Sequence, residues 1–393
     1  MIRLAQRMSR LGTETAFEVL AKAKALEAKG KSMIHLEIGE PDFDTPMNIK
    51  NAAKKALDEN YTHYGPSPGL PIARAAVAKY IARTRGIEVS PDNVVITPGG
   101  KPIMFYSMMA MVDEGDEVIY PNPGFPIYES VIQFLGAKAV PLQLKEENEF
   151  RVSIDDLRKL ITKKTRMMII NSPQNPTGGV LTEQDVKDIA ALAMEHDIVV
   201  LSDEIYDQIV YDGFKPRSIS TIPGMQERTI ILDGFSKTFA MTGWRLGYGV
   251  MPEDLARQVA KLQTNSVSCT ASFSQIAAIE ALEGPWDDVR KMVAEFKRRR
   301  DLIVDGLNAI DGFRCHRPHG AFYVFPNITG TGRTSKELEE LFLNEAGVAC
   351  LSGTAFGKYG DGFLRFSYAN SIPMIEKALQ QIAKTLKRQP VTA

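Results

Sequence analysis

Between about residue 90 and residue 250, short apolar runs alternate with longer stretches of helical pattern, and this alternation constrains the fold more than any other feature. The runs are Val94-Val95-Ile96, Glu117–Tyr120, Ala137–Leu142, Arg166–Asn171, Ile198–Ser202, Thr229–Leu232 and Leu246–Val250. Most are rich in branched residues and apolar on both faces, as strands buried between two helix layers are. Residues 101–112, rich in Met and Phe, follow a Gly-Gly break and read as a buried helix. Thr182-x-x-Asp185 has the form of a capping box and opens a helix running through His196. Seven strands with interleaved helices predict an α/β fold around a largely parallel sheet.

After residue 250 the texture changes. Residues 286–309 form one long charged amphipathic pattern, carrying Val289, Met292, Phe296, Ile303 and Leu307. Short strands are expected at Ala321–Phe325, Val348–Leu351 and Phe363–Ser367, with helices near 335–345 and 372–387, which together suggest a smaller α+β domain. A helix around 14–29 is joined to the sheet region by a link containing Pro41 and Pro46. The expected division is an N-terminal segment, 1–47, packing with the small domain, a large domain at 48–285, and a small domain at 286–393.

A chain of 393 residues is long enough for two domains. Its net charge of −1 gives no electrostatic reason to expect nucleic acid or a membrane surface as a partner. No apolar stretch reaches the ~18 residues of a membrane span, and residues 1–14 lack the apolar core of a signal peptide. Three scattered cysteines without C-x-x-C spacing point to a reducing compartment, with no disulfide framework and no zinc site. The five histidines are equally dispersed, so no metal is expected and the cytoplasm is the expected location.

Open α/β sheets bind ligands at the carboxyl ends of their strands. Polar, chemically useful residues follow five of these runs: Gly99-Gly100-Lys101, Asn122-Pro123-Gly124-Phe125, Ser172 through Gly178, Asp203-Glu204-Ile205-Tyr206, and Gly234-Phe235-Ser236-Lys237. Singly, each has a plain reading. Gly99-Gly100 is a tight turn or a cradle of N–H groups for phosphate at a helix start, and it is not a Walker loop. Asn175-Pro176-Thr177-Gly178 is a turn sequence, Asp203 a cap, and Tyr206 a core residue. Their joint occurrence at five strand ends is what suggests a site.

The constellation resembles the class I/II pyridoxal-phosphate-dependent aminotransferases of the aspartate aminotransferase fold. Gly234-Phe235-Ser236-Lys237-x-x-Ala240-Met241-x-Gly243-x-Arg245-Leu246-Gly247 is similar to that family's lysine signature. Asn171 through Gly178 resembles its asparagine motif, with Gln174 where Asn is commoner. Ser202–Tyr206, Pro318–Tyr323 and Phe363–Ser367 also match, and the resemblance runs from Gly39 onward, closest to the prokaryotic-type aspartate and broad-specificity branch.

The resemblance implies pyridoxal 5′-phosphate as cofactor, with a large domain built on a seven-stranded, mostly parallel sheet and a smaller α+β domain. It implies that the amine of Lys237 holds the cofactor and moves the substrate's proton, and that Asp203 pairs with the cofactor's ring nitrogen. Tyr206 and Asn175 would face the ring's phenolic oxygen, and Phe125 would stack on the ring unless it is a core residue. Gly100, Lys101, Ser236 and Arg245 would grip the phosphate. Tyr64 matches a tyrosine that reaches the neighbouring subunit's phosphate, so a homodimer is expected. Arg365 would bind the substrate α-carboxylate, assisted by Asn175 and Gly39.

Lys101 has two readings: it faces the distal carboxylate of an acidic substrate, or it is a solvated or phosphate-side lysine. Phe125 and the Met-rich helix also suit neutral, branched or aromatic donors. The function implied is amino transfer from an L-amino acid to a 2-oxoacid such as 2-oxoglutarate or pyruvate. A carbon–sulfur lyase using the same residues is the alternative. A cofactor-sensing regulator is less expected, because only about 40 residues precede the resemblance and none form a basic stretch.

Overall fold

The computed structural model describes residues 2–388; Met1 and residues 389–393, at the ends of the first and last expected segments, lie outside it. The seven expected strands are β1 (Val94–Thr97), β2 (Glu117–Asn122), β3 (Lys138–Gln143), β4 (Thr165–Asn171), β5 (Val199–Asp203), β6 (Thr229–Gly234) and β7 (Gly247–Val250). They form one sheet in the order β1-β7-β6-β5-β4-β2-β3. All neighbours are parallel except β7, which runs antiparallel to both β1 and β6. The exception has a local cause, since residues 235–246 between β6 and β7 hold one 3-10 turn, Thr242–Trp244, and no crossover α-helix. The carboxyl ends of β1, β2, β4, β5 and β6 therefore share one edge.

Alternation along each strand fills both faces. On one, Val118, Met167 and Leu201 pack with Ile103, Met108 and Val131; on the other, Ile119, Met168 and Val200 pack with Val186, Ile189 and Leu192. The capping box is present, with the Thr182 side chain accepting from Asp185 N–H at 3.1 Å ahead of the helix Glu183–Glu195. The buried Met-rich helix spans Lys101–Met111 and starts where β1 ends.

A second core gathers Phe296, Ile303, Phe322, Phe342 and Phe366. It is built on a three-stranded antiparallel sheet ordered Leu351–Ser352, Leu364–Ser367, Tyr323–Val324. The run expected as one strand at Val348–Leu351 is split. Val348–Ala349 pairs in parallel with Ile34–His35, whereas Leu351–Ser352 joins the three-stranded sheet. The chain changes partner at Cys350, and no local pattern marks that change. The expected helix near 335–345 ends its α turns at Leu341 and continues as a π segment, Phe342–Ala346.

The long helix, Asp287–Asn308, joins the two cores: Val289 packs with the β1 side of the large sheet, and Phe296 and Leu307 pack in the second core. Residues near the start touch both units. Gly12 N–H donates to Ser130 Oγ at 2.9 Å, while Ile34–His35 extends the Val348 strand.

Candidate active site

The five strand ends and Arg365 enclose a cavity of about 550 Å³. Eleven of the twelve residues singled out in the sequence line it: Gly39, Gly100, Lys101, Phe125, Asn175, Asp203, Tyr206, Ser236, Lys237, Arg245 and Arg365. Tyr64 does not. It lies outside the cavity with 92% of its surface exposed.

Lys237 follows β6, and its amine donates to the backbone oxygen of Gly39. Burial holds the amine down to about 8, reinforced by Arg365 and opposed by the charge of Glu40. Asp203, the last residue of β5, shows the reverse effect. Burial pushes its carboxyl up to about 6, against the hydrogen bonds from the Tyr128 hydroxyl at 2.5 Å and Ile205 N–H at 3.3 Å. A cation brought against this carboxylate would favour its ionised form.

Between β4 and its helix, Asn171 organises the loop. Its Nδ2 donates to Asp203 O at 3.0 Å, and its Oδ1 accepts from Asn175 N–H at 2.9 Å. Gln174 takes its own role here. Its Nε2 donates to Pro123 O at 2.7 Å, which ties the asparagine loop to the loop carrying Phe125. Phe125 meets Tyr128 edge-on, and Lys101 Nζ stands 5.5 Å over the Phe125 ring while pairing with Glu14.

Arg365 reaches the cavity from the second core. One guanidinium nitrogen donates to Asn175 Oδ1 at 3.3 Å and another to Glu37 O, while Nε is buried with no protein partner among the described residues. Tyr323 and Phe356 flank its plane at 4.6 and 4.8 Å. The Tyr206 and Tyr323 hydroxyls share a hydrogen bond of 2.8 Å. Gly39 is required where it sits, because a Cβ there would lie 2.1 Å from the Tyr323 hydroxyl.

Arg245 ends the short turn Thr242–Trp244 in the left-handed region, φ 53°. One of its nitrogens donates to Thr242 O at 2.8 Å. The guanidinium lies so close to Gly99 that a Cβ there would fall 2.4 Å from it. The start of the Lys101–Met111 helix, Ser236 and Arg245 thus leave a cationic concavity lined by backbone, suited to a phosphate. A buried carboxylate in reach of a cation, a desolvated amine, an arginine with an unpartnered buried nitrogen and this concavity together match what pyridoxal phosphate and an amino acid present.

Comparison with known proteins agrees with this geometry. Residues 31–382 match the family model described as aminotransferase class I and II. The chain belongs to that family. An aspartate aminotransferase from Pyrococcus abyssi is 45% identical over 92% of this chain and 94% of its own length. An aromatic-amino-acid aminotransferase from Thermococcus litoralis is 44% identical over 91% and 93%. Among solved structures, an alanine aminotransferase from Pyrococcus furiosus matches with a TM-score of 0.93 at 34% identity, over 98% of this chain and all of the other. The chain is an enzyme that transfers amino groups, on the aspartate aminotransferase fold, and these relatives do not favour the lyase alternative.

The sequence did not single out Tyr128, Glu14 or Phe356 as aminotransferase site residues. Tyr323 stood in the matched Pro318–Tyr323 stretch without a role. No local signal exists for Glu14 or Phe356, which are far from their partners in the chain. Tyr128 had one, since it lies a single helical turn beyond Phe125.

Proposed function

We propose that the chain is a pyridoxal-phosphate-dependent aminotransferase that takes nitrogen from an L-amino acid and passes it to a 2-oxoacid in two half-reactions at one cavity. The observation that carries the reading is the convergence, in that cavity, of the Lys237 amine, the buried Asp203 carboxyl and the buried Arg365 guanidinium, whose Nε has no partner among the described residues, with burial holding the amine down to about 8. When bound, pyridoxal phosphate supplies an electron sink for the bond broken at the substrate's α-carbon.

The chain's own groups supply the rest. Lys237 holds the cofactor. Near neutral pH roughly a tenth of such an amine is unprotonated, enough to take the α-proton and return it. Asp203, fixed by Tyr128, would pair with the ring nitrogen, and Tyr206 and Asn175 would hydrogen-bond the phenolic oxygen. Phe125 would stack on the ring. Gly100, Ser236 and Arg245 bind the phosphate. Arg365 orients the α-carboxylate with help from Asn175 and the Gly39 backbone.

For the amino donor we favour neutral, apolar or aromatic side chains over acidic ones. Lys101 is already engaged by Glu14, and Met104, Phe17 and Phe125 give the cavity apolar wall. The relatives' names, aspartate, aromatic and alanine, support a broad range. Residues 1–47, 48–285 and 286–393 are proposed as N-terminal segment, large domain and small domain. A homodimer in the cytoplasm completes the reading, with Tyr64 serving the partner's site. Among the described residues no helix is long and apolar enough to cross a membrane.

The test is direct. Purified protein given pyridoxal phosphate should form a borohydride-reducible adduct absorbing in the visible, and Lys237→Ala should abolish it. An adduct surviving in that variant assigns the lysine elsewhere. A panel of amino donors with 2-oxoglutarate or pyruvate then ranks the substrates, and activity confined to aspartate and glutamate would sink the neutral-donor preference.

A further inference from the structure

The strand ends that line the cavity also have a reverse side. Successive strand residues point to opposite faces: Asp203 and Leu232 line the cavity, whereas Glu204 and Asp233 turn to the other side and meet Arg85. Arg85 is the last residue of the helix Pro71–Arg85. Its Nε donates to Glu204 Oε2 at 2.8 Å, and its two terminal nitrogens lie 2.6 Å from Asp207 Oδ2 and 3.4 Å from Asp233 Oδ2. None of the four side chains is more than 7% exposed.

Each carboxylate adjoins one residue of the proposed machinery. Glu204 follows Asp203, Asp207 follows Tyr206, and Asp233 opens the turn to Lys237, its Oδ1 accepting from Gly234 N–H at 2.6 Å. Neighbouring groups complete the cluster. Tyr248 donates to Asp233 at 2.8 Å, Ser202 and Ser218 donate to Glu204, and Gln208 donates to Asp207, with Tyr80 alongside. One planar fork thus ties two strand ends, the β5 end with its turn and the β6 end, to the close of a helix, a geometry a lysine cannot reproduce. Without that cation, three buried carboxylates would repel one another in a poorly screened interior. Burial, and to a smaller extent the charge of Glu204, pushes the Asp203 carboxyl up, so the group Arg85 holds is one that acts on Asp203.

We propose that Arg85 is a positioning residue: from the side opposite the cavity, its guanidinium clamps in register two strand ends, that of β5 with the turn after it, carrying Asp203 and Tyr206, and that of β6, leading to Lys237. The inference rests on the roles given to those three residues above.

The experiment compares the wild-type enzyme with Arg85→Met, Arg85→Lys and the double variant Arg85→Met/Glu204→Gln. Four quantities are read: the Kd of pyridoxal phosphate for the apoenzyme, the pH midpoint of the bound cofactor's visible absorption, kcat, and KM for the amino donor. Arg85→Met should raise the Kd about tenfold or more. It should also move the pH midpoint upward and lower kcat about a hundredfold, as a displacement of ~1 Å in catalytic groups does. KM, set by Arg365 on another element, should change by less than about threefold. Arg85→Lys should recover part of the loss, and Glu204→Gln in the Met background should recover part of the Kd by removing an orphaned charge.

A variant that loses thermal stability yet keeps wild-type Kd, pH midpoint and kcat overturns the proposal. If Arg85→Met yields no folded protein, Arg85→Lys decides alone, and wild-type values there overturn it equally. Wild-type protein that fails to bind pyridoxal phosphate at all refutes the cofactor reading, and this inference with it.

Discussion

Two lysines reach the cavity, and their surroundings give them opposite characters. Lys237 sits where burial, its largest influence, favours the neutral amine, and a backbone oxygen is its hydrogen-bond partner. Lys101 is about half exposed and is occupied by Glu14. A distal substrate carboxylate must displace Glu14 before it can pair with Lys101. A partly exposed ion pair is worth only about 0–1 kcal/mol, so Glu14 should bias the substrate range without closing it. Glu14→Gln should lower KM for aspartate and for 2-oxoglutarate by roughly two- to fivefold, leaving aromatic donors and pyruvate unchanged. Steady-state kinetics on the four substrates checks this, and an equal shift for all four refutes it. The role was illegible in the sequence, where Glu14 reads as an ordinary acidic residue ahead of a helix.

At the scale of elements, the strand-to-helix turns are the working parts, and most are written in local code. Gly, Pro or Asn marks four of the five, the exception being Asp203–Tyr206 after β5, because these residues supply the backbone angles a sharp turn needs. Gly99 shows how narrow the tolerance is: its φ is 92°, and Arg245 lies against its Cα. An alanine there would be strained in its backbone and would push the guanidinium away. Gly99→Ala should cost about 1–3 kcal/mol of stability. It should also weaken pyridoxal phosphate binding more than tenfold, as Arg245→Ala would. Thermal melts and cofactor titration measure both effects, and a stable variant with normal affinity would remove Arg245 from the phosphate site. The split of Val348–Leu351 shows where local code ends. Its two halves meet different distant strands, Ile34–His35 in parallel and Leu364–Arg365 antiparallel.

At the scale of the whole molecule, Tyr64 is the residue that the single chain leaves outside its own cavity. Its ring is exposed, as a residue that serves a second subunit's site would be in the separate chain. A homodimer with shared sites predicts complementation. Tyr64→Ala and Lys237→Ala subunits, each inactive alone, should regain activity when mixed and reassociated. Random pairing makes half the dimers hybrid with one native site each, so about a quarter of wild-type activity should return. Sedimentation must show a dimer in parallel, and a monomer or a failure to complement sinks the shared site.

The sequence by itself determined the seven strands, the motif residues at their ends and the family they resemble, because turn chemistry and strand alternation are encoded within a few residues of each feature. Tertiary structure alone decided which partners complete those residues. Tyr128 on Asp203, Tyr323 between Tyr206 and Arg365, Glu14 on Lys101 and Arg85 under three carboxylates are pairings across separate elements. Burial then sets the character of Lys237 and Asp203, and burial is a property of the assembled fold: the same side chains in an extended chain would be ordinary, solvated charges.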